Sequence, residues 1–195
     1  WGALKQRERR HLEEALTFRK YPTYTQYLEM MRGFAGDYPE ICRLDTFGTS
    51  TGGRLLLALK ISDNPDLDEP EARFLYTSTM HGDELVGYVL LLRLTHYLLE
   101  GYGTDSEVTG LVDSLEIWIN PLANPDGSYS NNQDLSLTHS IRNNINGVNL
   151  NRDFPDPAVP EPDDTTGRER ETREMMVFLR KHRFTLSANL HSGAE

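Results

Sequence analysis

Short apolar segments alternate with longer amphipathic segments along most of the chain, and this alternation constrains the fold more than any other feature. Three segments have the length and apolar content of buried strands: Phe74–Met80, Leu115–Ile119 and Phe184–Leu190. The segment Glu84–Leu99, between the first two, repeats its apolar residues at helical spacing, and another helix is predicted after a cap at Thr166. Strands that alternate with helices in this way predict an α/β domain.

The amino-terminal part of the chain adds two strands that follow one another directly. Ile41–Phe47 and Leu55–Ile61 are β-like runs, and the glycine-rich stretch between them predicts a hairpin turn. A helix is predicted over 24–35, with Thr25 as its N-cap and Gly36 as its stop. A hairpin combined with helix-separated strands predicts a mixed parallel and antiparallel central sheet flanked by helices.

Length and charge exclude several classes of protein. The 195 residues suffice for one domain with a sizeable core, and no apolar run approaches the roughly 18 residues that suggest a bilayer span. Thirty acidic against twenty basic side chains give a net charge of −10, which argues against nucleic-acid binding because that requires a basic surface. The single cysteine, Cys42, rules out an intrachain disulfide and a cysteine-rich zinc finger.

A histidine and a carboxylate follow the predicted strand Phe74–Met80 directly. His81 and Glu84 lie three positions apart in a turn, and such a pair of nitrogen and oxygen ligands suits zinc. The same spacing occurs at His11 and Glu14, but there it falls in a charged segment with no apolar strand beside it. We interpret that second pair as solvated.

A catalytic zinc ion usually has three protein ligands and a water, so a third ligand is required. Four further histidines are candidates: His96, His139, His182 and His191. Two of them fall on predicted helices and one in a polar loop, where structural or solvated roles are more common. His191 instead follows a core strand, as His81 does, and ligands of open α/β sheets lie outside the carboxyl ends of the strands. The best trio is therefore His81, Glu84 and His191.

Arginines in asparagine-rich loops form the other candidate group. Arg142 and the pair Asn151–Arg152 leave two interpretations open. They could pair with surface acids of this acidic chain. A guanidinium beside a metal is equally what a site would use to hold a substrate carboxylate through two parallel hydrogen bonds.

Four segments taken together carry a resemblance to a known family. They are Thr79–Glu84, Asn120–Gly127, Gly147–Asp156 and Ser187–His191, and they match in both order and spacing. The chain resembles the zinc metallocarboxypeptidase family of carboxypeptidases A and B, most closely the regulatory type represented by carboxypeptidases N, E and D. The resemblance covers roughly residues 22–195 and implies the same α/β fold.

The resemblance implies a function and a role for each candidate residue. The implied ligands of one zinc ion per chain are His81, Glu84 and His191. Arg142 takes the place of the arginine that polarises the scissile carbonyl, and Asn151 and Arg152 match the pair that grips the substrate's terminal carboxylate. The implied reaction is hydrolysis of C-terminal peptide bonds, with peptide or protein C-termini as substrates.

The resemblance also implies what lies outside this sequence. The family's general-base glutamate and its mobile capping tyrosine are expected beyond residue 195, and Glu195 is not assigned either role. Residues 21–195 are therefore predicted to be a partial catalytic domain, truncated at its carboxyl-terminal side, and residues 1–20 a lead-in helix or extension. We expect the 195-residue chain alone to be inactive. An extracytoplasmic location, secreted or periplasmic, is expected from the resemblance.

Two alternatives to a carboxypeptidase remain. One is a related zinc amidohydrolase that acts on peptidoglycan stem peptides or N-acyl amino acids, and the other is a catalytically incompetent peptide-binding homologue. The intact trio of ligands favours an enzyme. Arg142 together with Asn151 and Arg152 favours a substrate with a free carboxylate, although peptidoglycan stems also end in one.

Overall fold

Five strands form one mixed sheet in the computed structural model, which describes residues 20–130, 137–156, 158 and 164–193. The strands are β1 (Cys42–Thr49), β2 (Leu55–Ile61), β3 (Ala72–Ser78), β4 (Leu115–Asn120) and β5 (Leu186–Leu190). Their spatial order is β1-β2-β4-β3-β5. The pairs β1–β2 and β2–β4 are antiparallel, whereas β3–β4 and β3–β5 are parallel. The predicted mixed sheet of an α/β domain is thereby confirmed.

One helix precedes the strands and the others lie between them in the sequence. They are α1 (Tyr24–Asp37), α2 (Val86–Gly101), α3 (Ser106–Val112), α4 (Pro125–Ser128) and α5 (Arg170–His182), with a short 3-10 helix at Leu150–Arg152. Within the described part of the chain, no helix is both long and apolar enough to cross a membrane. The predicted lead-in of residues 1–20 lies outside the described residues apart from Lys20.

Helices pack against both faces of the sheet, although most residues of the edge strand β5 are exposed. One face packs against α1, α2 and α3, and the sheet contributes Leu57, Leu59, Ile61, Ile117 and Ile119 to that core. The other face packs against α5, where the buried residues are Ala58, Leu75, Trp118, Met175 and Phe178. Of the two strands that lead to the predicted ligands, β3 contributes Leu75 to this second core.

The first helix starts at Tyr24 as predicted, but it has a different N-cap and ends two residues later than predicted. Its N-cap is Thr23 and not Thr25, because Thr23 and Gln26 form a reciprocal capping box. The Thr23 hydroxyl accepts from the Gln26 N–H at 3.3 Å, and the Gln26 side chain accepts from the Thr23 N–H at 2.9 Å. The helix also continues through Gly36 to Asp37, so the predicted stop is wrong.

The predicted cap of the last helix is also wrong. Helix α5 begins at Arg170, and its N-cap is Glu169 instead of Thr166. The Glu169 side chain makes no capping hydrogen bond, since its carboxylate accepts from Asn144 Nδ2 at 2.7 Å. The first residue before this helix is therefore held by a segment that lies far away in the sequence.

Candidate metal centre

Two neighbouring parallel strands end side by side at one edge of the sheet. Ser78, the last residue of β3, is the register partner of Leu190, the last residue of β5. His191 follows β5 directly, and His81 follows β3 after a short turn. The predicted strand extended to Met80, but β3 ends two residues earlier, which leaves room for this turn.

The turn between β3 and α2 is abrupt because of an unusual backbone conformation. Thr79 has a φ of 61°, the left-handed region that a β-branched residue rarely enters. Its carbonyl accepts from the Asn124 N–H at 3.1 Å, and its hydroxyl donates to the Glu84 carbonyl at 3.4 Å. These contacts hold the chain in a conformation that directs it back toward the sheet edge, so that His81 and Glu84 lie within one turn.

Glu84 brings the two histidines together. Its Oε1 lies 2.8 Å from His81 Nδ1, and its Oε2 lies 2.7 Å from His191 Nδ1. The two imidazole centroids are 4.9 Å apart, and the three ligand atoms all lie within 4.8 Å of one another. The His81 side chain is 2% exposed and that of Glu84 is 11% exposed, whereas His191 is more accessible at 36%. The structure thus assembles the predicted trio in a half-open position.

Asn149 orients the His81 ring, a role that the sequence analysis did not assign. The amide oxygen of Asn149 lies 3.0 Å from His81 Nε2, where it can accept from an Nε2–H. With a metal present, a neutral ring that carries its proton on Nε2 would offer Nδ1 to the ion on the side of Glu84. Partners of this kind fix the tautomer and direction of a metal-binding histidine.

The carboxylate of Glu84 remains ionised despite its surroundings. Burial opposes ionisation, but hydrogen bonds from His191 and from the backbone N–H of Ser192, 3.1 Å from Oε2, outweigh it. Arg142 and His81 add to this effect, and together they lower the pKa of Glu84 to about 2. A charged oxygen ligand is therefore present at any pH near neutrality.

Arg142 lies at the open side of this group. Its Nη1 donates to Glu84 Oε1 at 2.7 Å, and its side chain is 51% exposed. The backbone of the same residue is held as well, because the Gly82 N–H donates to the Arg142 carbonyl at 3.0 Å. A guanidinium carries five N–H donors, so the bond to Glu84 leaves others for a substrate oxygen.

Asn151 and Arg152 lie on the exposed 3-10 helix, whose Leu150 is buried and anchors it. The Arg152 guanidinium donates to the Asn151 carbonyl at 2.8 Å. In the described contacts, this pair is joined to the ligand group indirectly, since the Asn149 side chain also accepts from the Asn151 N–H at 3.0 Å. The structure thus places the predicted carboxylate clamp beside the ligands without direct contact to them.

The other histidines lie elsewhere. The imidazole of His182 lies against Trp118 with ring centroids 4.2 Å apart. His96 lies half-buried on α2, and His139 lies exposed in a loop. His11 lies outside the described residues, so its predicted solvated role is untested.

A second group of three acidic side chains, Asp63, Glu69 and Glu71, also has its oxygens within 4.8 Å of one another. It lies in the loop between β2 and β3 and contains no imidazole. Burial and the charges of the neighbouring acids raise the pKa of Glu71. The group of His81, Glu84 and His191 is the one with the mixed nitrogen and oxygen ligands that zinc prefers.

The fold is that of carboxypeptidases of known structure. Carboxypeptidase A from Helicoverpa armigera superimposes with a TM-score of 0.72 at 22% identity, over 89% of this chain and 46% of that one. This likeness defines a carboxypeptidase fold and confirms the architecture that the sequence predicted.

Sequence comparison identifies the family. A model of the zinc carboxypeptidase family matches residues 27–195. Carboxypeptidase D of Rattus norvegicus is 46% identical over 165 residues, 84% of this chain and 12% of that protein. Carboxypeptidase M of Mus musculus is 40% identical over 167 residues, 84% of this chain and 37% of that protein. The chain belongs to the zinc carboxypeptidase family, and it spans well under half the length of these relatives.

Proposed function

We propose that the protein containing this chain hydrolyses C-terminal peptide bonds with the help of zinc. The observation that carries the proposal is the convergence of His81, Glu84 and His191 at the ends of two adjacent parallel strands, with Arg142 beside them. Membership of the zinc carboxypeptidase family supports the same reaction. The extracytoplasmic location and the division at residue 20 stay predictions.

The chemistry of the three side chains fits zinc. Two imidazole nitrogens and one carboxylate form a ligand set that catalytic zinc sites use, with a further position left for water or substrate. With its Nε2–H bound to Asn149, a neutral His81 would bind the ion through Nδ1. His81, Glu84 and His191 would therefore hold the ion.

The reaction joins a water oxygen to the carbonyl carbon, and the C–N bond breaks as the amine takes up a proton. When bound, zinc would act as a Lewis acid and lower the pKa of a water molecule. Arg142 would meet the negative charge that develops on the carbonyl oxygen, because its guanidinium is half-exposed at the open side of the ligands.

The substrate class follows from the arginines. Arg152 and Asn151 present an exposed guanidinium and amide that would hold the terminal carboxylate of a peptide. Asn149 links this pair to His81 through one amide oxygen, so the clamp and the ligands are kept at a fixed separation. A fixed separation would select the peptide bond nearest the C-terminus.

The test compares a peptide that has a free C-terminal carboxylate with the same peptide amidated, using the complete natural protein. We expect the free peptide to be preferred. Arg152→Ala should raise KM for the free peptide by about tenfold or more, the loss of a hydrogen bond to a charged group, with kcat little changed. Arg173→Ala, an exposed arginine on α5, is the matched control and should leave both constants unchanged.

Two outcomes would contradict the proposal. If Arg152→Ala discriminated between the free and amidated peptides as well as the wild type does, the clamp assignment would be wrong. If the wild-type protein cleaved N-acyl amino acids and left peptides intact, the amidohydrolase alternative would replace the proposed reaction.

A further inference from the structure

A buried ion pair connects the β1–β2 turn to the short helix α4. Arg54 Nη1 lies 2.6 Å from Asp126 Oδ1, and the Asp126 side chain is 0% exposed. The Gly52 N–H donates to the other oxygen of Asp126 at 2.6 Å. Arg54 Nη2 also donates to the Tyr129 carbonyl at 2.8 Å, so one guanidinium binds both ends of α4.

Helix α4 packs directly against the turn that carries the first ligand. A Cβ atom added to Gly82 would lie 2.4 Å from the carbonyl carbon of Gly127, so the two backbones touch at a glycine-only distance. The Asn124 side chain donates to the Met80 carbonyl at 3.2 Å. These contacts flank His81 on both sides in the sequence.

The same helix holds the segment that carries Arg142. The Ile141 N–H donates to the Gly127 carbonyl at 2.8 Å, and the Gly82 N–H donates to the Arg142 carbonyl at 3.0 Å. Gly127 thus lies between the ligand turn and the arginine that binds Glu84. A displacement of α4 would move both the turn that carries His81 and the segment that carries Arg142.

We propose that Arg54 and Asp126 are positioning residues that set the separation between the ligand turn and Arg142. The inference rests on the proposed function, because it concerns the same site. A buried carboxylate that loses its charged partner is strongly disfavoured, and the surrounding backbone then shifts or opens. Reactive groups must be held to within about 0.5 Å of their working geometry, so a small shift of α4 suffices to impair the site.

The test is Asp126→Asn in the complete natural protein, with Glu116→Gln as a matched control. Both changes replace a buried carboxylate by its amide, and Glu116 also pairs with basic side chains, Lys60 and Arg73, but at the opposite end of the sheet. The measurements are Zn²⁺ affinity by chelator competition, the visible spectrum of the Co²⁺-loaded protein, kcat and urea unfolding. We expect both variants to lose stability and Asp126→Asn alone to bind Zn²⁺ about tenfold more weakly, with an altered Co²⁺ spectrum and lower kcat.

A second variant covers the case in which Asp126→Asn does not fold. Arg54→Lys keeps the charge beside Asp126 but loses the second arm to the Tyr129 carbonyl, and it should shift the same measurements in the same direction by less. Unchanged Zn²⁺ affinity and Co²⁺ spectrum in Arg54→Lys, or equal values in Asp126→Asn and Glu116→Gln, would overturn the inference. A wild-type protein that binds both metals but releases no C-terminal residue would contradict the proposed function alone, and the metal measurements would still decide the positioning role.

Discussion

Each end of the central sheet has a buried carboxylate beside it, and the two carboxylates have different partners. At the amino end of β3 and β4, Glu116 Oε1 lies 3.2 Å from Lys60 Nζ and Oε2 lies 2.9 Å from Arg73 Nε. At the carboxyl end of β3 and β5, the two oxygens of Glu84 face imidazole nitrogens, and Oε1 also accepts from Arg142. In both cases burial opposes ionisation and hydrogen bonds overcome it, so the pKa of each carboxyl is lowered.

The two sets of partners differ in whether they can bind a metal ion. A guanidinium and an ammonium group donate hydrogen bonds and have no lone pair to share, so the side chains around Glu116 form ion pairs and not a metal site. Imidazoles can bind a cation through a ring nitrogen when they are neutral. The carboxylate at the carboxyl end can therefore share a metal with its partners, whereas the one at the amino end serves only to join strands.

The largest expected effect is loss of zinc binding, and it should follow substitution of the histidines at the carboxyl end of the sheet but not of the histidine at the amino end. His81→Ala and His191→Ala should each abolish stoichiometric zinc binding in the complete protein and lower kcat/KM by more than the roughly 100-fold typical of outer partners. His182→Ala, at the amino end, should retain zinc and lose about 1–3 kcal/mol of unfolding free energy, because its ring packs on Trp118. Metal analysis after dialysis, together with urea unfolding, measures both. Retention of zinc by His81→Ala would remove the distinction between the two ends.

A smaller effect separates two arginines that each bind a carboxylate. Arg142→Ala should lower kcat by about 100- to 1000-fold with a lesser effect on KM, because its proposed partner charge develops only in the transition state. Arg73→Ala should leave kcat unchanged and cost about 2 kcal/mol of unfolding free energy, the value of a hydrogen bond to a charged group. Steady-state kinetics and urea unfolding of both variants test this. A catalytic defect in Arg73→Ala equal to that of Arg142→Ala would show that the two ends are coupled.

The sheet and its long helices were predictable because strands and helices repeat their apolar residues with different periods. Helix α3, over Ser106–Val112, was not predicted, since it is short and carries Gly110 in its interior. The start of α5 was misplaced at Thr166; the observed N-cap, Glu169, is bound to Asn144, and such a contact between residues far apart in sequence leaves no local pattern.

The same reasoning applies to the site. His81 and His191 could be selected because each follows an apolar strand, and strand ends converge in parallel sheets. Asn149 and Asp126 could not, since their partners lie 68 and 72 residues away and only the fold brings them together. A polar residue whose role is to hold another residue leaves no periodic pattern in the sequence.

The smallest expected effect is the contribution of His182, at the amino end of the sheet, to the pH dependence of the unfolding free energy. Burial, and secondly the charge of Lys181, lower the pKa of His182 below the usual value of 6.5. The unfolded chain then binds this proton more readily than the folded one. The unfolding free energy should therefore fall as the pH decreases through 6.5 and stop falling below the folded-state pKa, with no contribution at higher pH.

His182→Phe should remove this component, because phenylalanine fills the same aromatic cluster and does not titrate. The titratable groups that act on the ring are Lys181, Asp45, Arg73 and Glu116, and the variant leaves all four in place. Urea unfolding of both proteins between about pH 5 and about pH 8 measures the difference in slope. All other titratable groups are present in both proteins, so their contributions cancel in that difference. An unchanged slope in the variant would mean that His182 accepts its proton as easily in the fold as in solution, and its ring would then be less isolated from water and charge than its contacts with Trp118 imply.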